Sequence, residues 1–313
     1  MKKYSLGVDI GGTTVKLGIF TLEGELLGKW EIPTRKENEG KYILSDISES
    51  INKALAEEKI DKSNIAGVGV GVPGPVKNDG TVLKCVNLGW GVFNVEKELS
   101  NLVGLPVKAA NDANIAALGE MWQGGGKGCS NMVMVTLGTG VGGGVIINGN
   151  IMDGNNGAAG EIGHIKVSAE ETETCGCGKK GCLEQYASAT GVVRIANKIL
   201  KDTDEASSLR DISEVTAKDV FDAAKNKDSL ALKVVDDFGN KLGTSLSIIS
   251  CVVDPEVFVI GGGVSRAGEI LINSIRKYYE ENAFHASRGT KFELATLGND
   301  AGIYGGAKLV QNI

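Results

Sequence analysis

His164, Cys175, Cys177 and Cys182 fall in one short stretch of a chain that holds only six cysteines and two histidines. Their spacing, H-x10-C-x-C-x4-C, offers one imidazole and three thiols, a closed four-ligand set suited to tetrahedral zinc. Four protein ligands leave no open coordination position, so the spacing predicts a structural zinc rather than a Lewis acid. Without a metal, this glycine- and lysine-rich loop would have almost no apolar anchor. Glu161 and Glu184 stand just outside its two ends, so an ion bound there would fix the segment that carries them.

A second group with chemical potential is Asn111 and Asp112 in "AANDANIAAL", between a predicted strand and a predicted helix. In an open α/β sheet the carboxyl ends of the strands face the ligand crevice. Asp112 there can take the proton of an attacking hydroxyl, as the catalytic aspartate of a kinase does. The same two residues are also good helix caps, and the residues alone leave both roles open. A pyranose presents hydroxyls that donate and accept, which carboxylates and side-chain amides match; Glu161, Glu184, Asn111 and Asp112 carry such groups.

Two glycine loops come next, "DIGGTT" and "LGTGVGG". "GTGVGG" and "GVGVPG" both fit the dinucleotide pattern GxGxxG, but neither is followed by the helix that this pattern requires. A Walker A sequence is absent. The two loops instead read as hairpin tips whose successive N–H groups can form an anion-binding nest, with donors from Thr13 and Thr139. Asp9 ends a buried strand, where an unpartnered charge is costly, and Mg2+, direct or through water, would compensate it. The alternative is two ordinary hairpins with Asp9 capping a turn.

These residues need a frame. Alternating apolar segments predict strands at residues 4–9 and in "VKLGIFT", "IAGVGVG", "PVKAA", "NMVMVT", "GVIIN" and "EVFVIGGG". Helices are predicted around 41–58, in "NVEKELSNLVG" and "DANIAALGEMW", and along a stripe of Val235, Phe238, Leu242, Leu246 and Ile249. A last helix follows Asn299 or Asp300 as its cap. The strand–turn–strand unit at 131 restates the opening of the chain, a weak internal repeat. Alternating strands and helices make the class α/β, and 313 residues suffice for two domains. A net charge of −6 argues against a nucleic-acid partner. No apolar run reaches the roughly eighteen residues of a membrane span, and the start lacks a signal-peptide core, so a cytoplasmic protein with no membrane partner is expected. Cys85, Cys129, Cys251 and His285 have no partners at ligand spacing and read as packing or surface residues.

"DIGGTTVKLG", "GVPGPV", "NDAN", "LGTGVGGG", "GAAGEIGH" and "CGCGKKGCLE", in this order, resemble the ROK family of repressors and sugar kinases. "GGGVS" and "LGNDAGIYGGA" extend the resemblance to the C-terminus. It implies a two-domain, actin-like ATPase (ribonuclease-H-like) fold with mixed sheets and flanking helices, ATP and sugar meeting in the cleft. The expected division is a small domain of 1–110 plus 300–313, and a large domain of 111–299 carrying the zinc loop 164–182. The resemblance makes Asp112 the catalytic base. It assigns Gly74, Asn111, Asp112, Glu161, His164 and Glu184 to the sugar. Asp9, Gly11, Gly12, Thr13, Gly138, Thr139 and Gly140 go to the phosphates of Mg2+-ATP, and Gly262, Gly263 and the turn before the last helix to the adenosine. His164 would bind zinc through one ring nitrogen and turn the other toward a sugar hydroxyl. Asn87 and Trp90 either line the same cleft or belong to a packed loop. The implied activity is phosphorylation of a hexose, first of all glucose at O6, by a homodimer or homotetramer. Kinases for fructose, mannose, N-acetylglucosamine and N-acetylmannosamine share the quoted motifs. A sugar-responsive repressor is disfavoured by the acidic chain and by only eight residues before Asp9, and a zinc-ribbon interaction module by the length it leaves unexplained.

Overall fold

The computed structural model describes residues 2–311. The chain opens with strands β1 (Tyr4–Ile10), β2 (Thr14–Thr21) and β3 (Leu26–Pro33), each antiparallel to the one before. A one-turn segment α1 (Glu37–Gly40), left-handed at Asn38 and Glu39, leads into helix α2 (Ile43–Glu57). Strand β4 (Ile65–Val72), a short ribbon of β5 (Thr81–Val82) and β6 (Phe93–Asn94), helix α3 (Val95–Val103) and strand β7 (Val107–Asn111) follow. Helix α4 (Asp112–Gln123) starts directly at the end of β7. The sheet order is β3-β2-β1-β4-β7, with β4 parallel to both its neighbours. β4 is buried along almost its whole length, as a central parallel strand covered on both faces must be. Ile43, Leu44, Ile47, Ile51 and Leu55 of α2 join the core cluster that includes Val68 and Val70, each such side chain contributing about 1.5–3 kcal/mol by leaving water.

The chain continues with β8 (Met132–Leu137), β9 (Val141–Ile147) and β10 (Asn150–Ile151). Then come a single turn α5 (Glu184–Ala187), α6 (Ala189–Asp202), α7 (Ala217–Lys225) and the long α8 (Ser229–Val253). Strand β11 (Val257–Gly261), helix α9 (Glu269–Asn282), strand β12 (Lys291–Leu294) and helix α10 (Ala301–Leu309) complete it. The second sheet runs β10-β9-β8-β11-β12, with β8, β11 and β12 parallel. Its order repeats that of the first sheet, three consecutive strands followed by two parallel ones, so the weak sequence repeat at 131 is a repeat of topology.

The chain forms two compact units, one of 1–130, 144–160 and 296–313, the other of 131–143 and 161–295. This differs from the expected division at residue 110. The reason is α4, which lies against α10 so closely that a Cβ on Gly305 would fall 1.7 Å from the Ile115 carbonyl oxygen. α10 also packs on the first sheet, where a Cβ on Gly7 would fall 1.8 Å from the Ile303 oxygen. The cap of α10 is one of the two residues expected. Asp300 takes the cap position without bonding a helix N–H, and its carboxylate pairs with Lys29 at 2.6 Å. Among the described residues no helix is long and apolar enough to cross a membrane.

Candidate active site and metal centre

In the first unit, Asp9 lies near the end of β1, opposite Lys16 on β2 and Gly71 on β4. A Cβ on Gly71 would sit 3.3 Å from the Asp9 carboxylate and 3.8 Å from the Asp112 Cα, and one on Gly302 would sit 2.6 Å from Asp9 Cγ. The carboxylate is therefore seated over two glycines, beside the first turn of α10 and the start of α4. Burial, then the nearby Asp112 charge, push its pKa up to about 6, against the opposing pull of Lys16. The adjoining tip is closed by Gly11 N–H donating to the Thr14 carbonyl at 2.9 Å, while Thr34 braces it through bonds to the Gly11 and Thr13 carbonyls. Thr13 is exposed, and Gly12 faces open space.

The two readings of "ND" separate by residue. Asn111 is the cap: its Oδ1 accepts from the N–H groups of Ala113 and Asn114, and its Nδ2 donates to the Gly74 carbonyl at 3.2 Å. That leaves Asp112 as the first helical residue, exposed, its carboxylate beside the Ala113 N–H at 2.9 Å. A helix N-terminus favours the anionic form that a proton acceptor needs. Trp90 is buried and donates to the Gly40 carbonyl at 3.2 Å, which makes it part of a packed loop, whereas Asn87 is exposed. Cys85 is buried with its thiol on the Pro73 carbonyl, and Cys251 and His285 are exposed.

The second unit gathers the other candidates. The Gly138–Gly140 tip is held from α6, where Ala189 N–H donates to the Gly138 carbonyl and the Thr190 hydroxyl to that of Thr139. Glu184 Oε2 accepts from the Val141 N–H at 3.0 Å. Gly262, at φ 83°, closes onto Leu137 at the end of β8, and Gly263 faces open space.

The ligand atoms of His164, Cys175, Cys177 and Cys182 all lie within 4.8 Å of one another. Cys177 and Cys182 sulfurs are 3.6 Å apart, and the Cys175 sulfur is 3.9 Å from His164 Nδ1. A tetrahedral ion with metal–sulfur bonds of about 2.3 Å needs edges of about 3.8 Å, so the set fits. Turn bonds from Gly178 N–H to the Cys175 carbonyl and from Cys175 N–H to the Lys179 carbonyl shape the loop. Burial, then the neighbouring Cys177 and Cys175, push the Cys182 thiol up to about 12, a cost that a dication reverses by binding thiolates. With Nδ1 turned to the cysteines, His164 Nε2 points the other way, 3.9 Å from the Glu161 carboxylate.

Glu120 gave no signal in the sequence. It is fully buried on α4, and its carboxylate accepts the N–H groups of Gly125, Thr296 and Leu297 at 2.8–3.0 Å. It thereby ties the helix that begins at Asp112 to the turn before α10. Nothing in its spacing could have shown this, because its partners are backbone groups, two of them far along the chain.

Fold and site together define a class. The ROK family pattern matches residues 5–313, and the chain belongs to that family. Its mixed sheets with flanking helices are the actin-like ATPase fold of ROK sugar kinases. Among relatives, it is 46% identical to a glucokinase of Halalkalibacterium halodurans, over 99% of this chain and 95% of that one. It is 34% identical to a glucokinase of Streptomyces coelicolor, over 98% and 97% of the two chains. Among solved structures, it resembles a ROK family glucokinase from Streptomyces griseus in complex with glucose and AMPPNP, with 34% identity, a TM-score of 0.73, and 99% and 100% of the chains covered.

Proposed function

We propose that this protein is an ATP-dependent glucose kinase that transfers the γ-phosphoryl group to O6. The observation that carries it is the 46% identity to a glucokinase over nearly the whole chain. The exposed Asp112 at a capped helix start supports its role as the base. Asp112 takes the O6 proton as the O6–phosphorus bond forms and the bond to the β–γ bridging oxygen breaks, releasing ADP. Asn111, Glu161, His164, Glu184 and the Gly74 backbone orient the sugar, which matters as much as deprotonation in a loose transition state. Asp9, Gly11, Gly12, Thr13, Gly138, Thr139 and Gly140 surround the phosphates, and Gly262 and Gly263 the adenosine. Mg2+ arriving with ATP supplies charge neutralisation on the phosphate oxygens.

In the same proposal His164, Cys175, Cys177 and Cys182 hold one structural zinc, for which three thiolates and an imidazole are a suitable donor set. The protein acts in the cytoplasm as a homodimer or homotetramer, which light scattering on the eluted protein would test. The position of the new phosphate is tested by phosphorus–proton correlation NMR of the product: coupling to the C6 protons is expected, and coupling to the anomeric proton would refute O6 transfer.

A further inference from the structure

Behind the metal loop, a second set of side chains grips the same segment. Arg194, on α6, donates through Nη2 to Glu171 Oε2 at 2.8 Å and to the Gln185 carbonyl at 2.9 Å, and its Nη1 pairs with Glu173 at 3.3 Å. The Glu171 side chain is only 7% exposed, and its Oε2 also accepts the Tyr186 hydroxyl at 2.8 Å. Burial opposes its charge, but Arg194, the Glu173 N–H and Tyr186 hold its carboxyl at about 2, so it stays ionised near neutrality. Arg194 and Lys241 also lie 5.5 and 5.4 Å from the Tyr186 ring centre. Gln185 Oε1 accepts the N–H groups of Gly181 and Cys182, while its Nε2 donates to the Glu173 carbonyl.

The two residues after Glu184 are thus both clamped, one by backbone and amide, the other by hydroxyl and ring. Glu184 itself begins a helix of only four residues, far too short to hold its own shape. We propose that Arg194, Glu171 and Tyr186 form a positioning cluster for the sugar pocket, fixing the Glu184 carboxylate together with the cysteine loop, whose Cys175 sulfur lies 3.7 Å from Glu184 Oε1. This rests on the assignment of Glu184 to the sugar. Removing one partner leaves the other charge buried and uncompensated. A lysine at 194 would keep the charge but lose the planar fork that reaches Glu171, Gln185 and Glu173 together.

The test uses Arg194→Met, Arg194→Lys and Tyr186→Phe in the full chain. Arg194→Met is expected to raise the glucose KM at least tenfold, the other two less, with the ATP KM within twofold and metal content unchanged. Hydrogen exchange of residues 181–188 should quicken at least tenfold in Arg194→Met. A glucose KM within twofold of the parent in all three variants, or glucose and ATP KM rising together, would overturn the proposal. Should Arg194→Met fail to fold, the other two variants decide. If the parent itself turns over no hexose, the proposed function fails, and exchange at 181–188 then decides alone: faster exchange supports the cluster and unchanged exchange refutes it.

Discussion

Glu184 Oε2 accepts the Val141 N–H at 3.0 Å and lies 2.1 Å from where a Cβ on Gly140 would stand. One carboxylate, proposed to hold the sugar, is therefore seated against the glycine tip proposed to hold phosphate. Gly140→Ala should displace it, because the added methyl and the oxygen cannot share that space. We expect kcat/KM for glucose to fall by ~10²-fold, the scale of a misplacement of about 1 Å, with the glucose KM rising more than the ATP KM. Initial-rate kinetics in both substrates check this; an effect on ATP alone would separate Glu184 from the sugar.

Asp112→Asn should leave glucose affinity nearly unchanged and lower kcat by roughly 10²–10⁴, the usual range for a lost acid–base group. Since Asn111 already caps α4, little stability should be lost. Calorimetric binding beside turnover tests it, and a kcat within a few-fold of the parent would make Asp112 a helix residue only.

The chemistry-bearing residues differ in how far the sequence exposes them. The cluster of His164, Cys175, Cys177 and Cys182 was legible because its four members lie close in the chain, and the structure brings their ligand atoms within 4.8 Å of one another. Strands β4 and β8 were legible from nearly unbroken apolar runs, β1 from its alternation, and α8 from its apolar stripe. β3 has no clear sequence signal, because Leu27 faces out and Gly28 in, although its burial alternates at every residue between half-buried and exposed. Glu120 and the Arg194–Glu171–Tyr186 cluster were invisible because their partners are fixed by tertiary packing, which leaves no periodic trace. Asp300 holds the cap position of α10 as expected, but its carboxylate pairs with Lys29 from β3 rather than with a helix N–H.

Asp9 gives a pH signature. Its pKa rises from 3.8 to about 6 on folding, so between those values the folded state binds more protons than the unfolded one, and stability falls as pH rises. Above pH 6 that loss is complete, about 2–3 kcal/mol for a shift of roughly two units. Asp9→Asn should therefore be more stable than the parent at pH 7.5, an advantage that shrinks below pH 4, while its use of Mg2+-ATP is impaired. Denaturant titrations at the two pH values check the sign; a variant less stable at pH 7.5 would show that Asp9 is held as a favourable anion.

Cys177→Ala should remove the bound metal and raise the glucose KM at least ~10-fold, because the loop ends that carry Glu161 and Glu184 lose one anchor. The first unit contains none of the four ligands, so its exchange protection should persist. Elemental analysis with kinetics tests this. Full glucose turnover in a verified metal-free protein would contradict the structural role.

Hexose phosphorylation is checked by a coupled ADP-release assay across glucose, fructose, mannose, N-acetylglucosamine and N-acetylmannosamine. Sugar-dependent ADP release is expected, with the highest kcat/KM for glucose. A higher value for another sugar would move the specificity, and no release with any of them would rule out a hexose kinase.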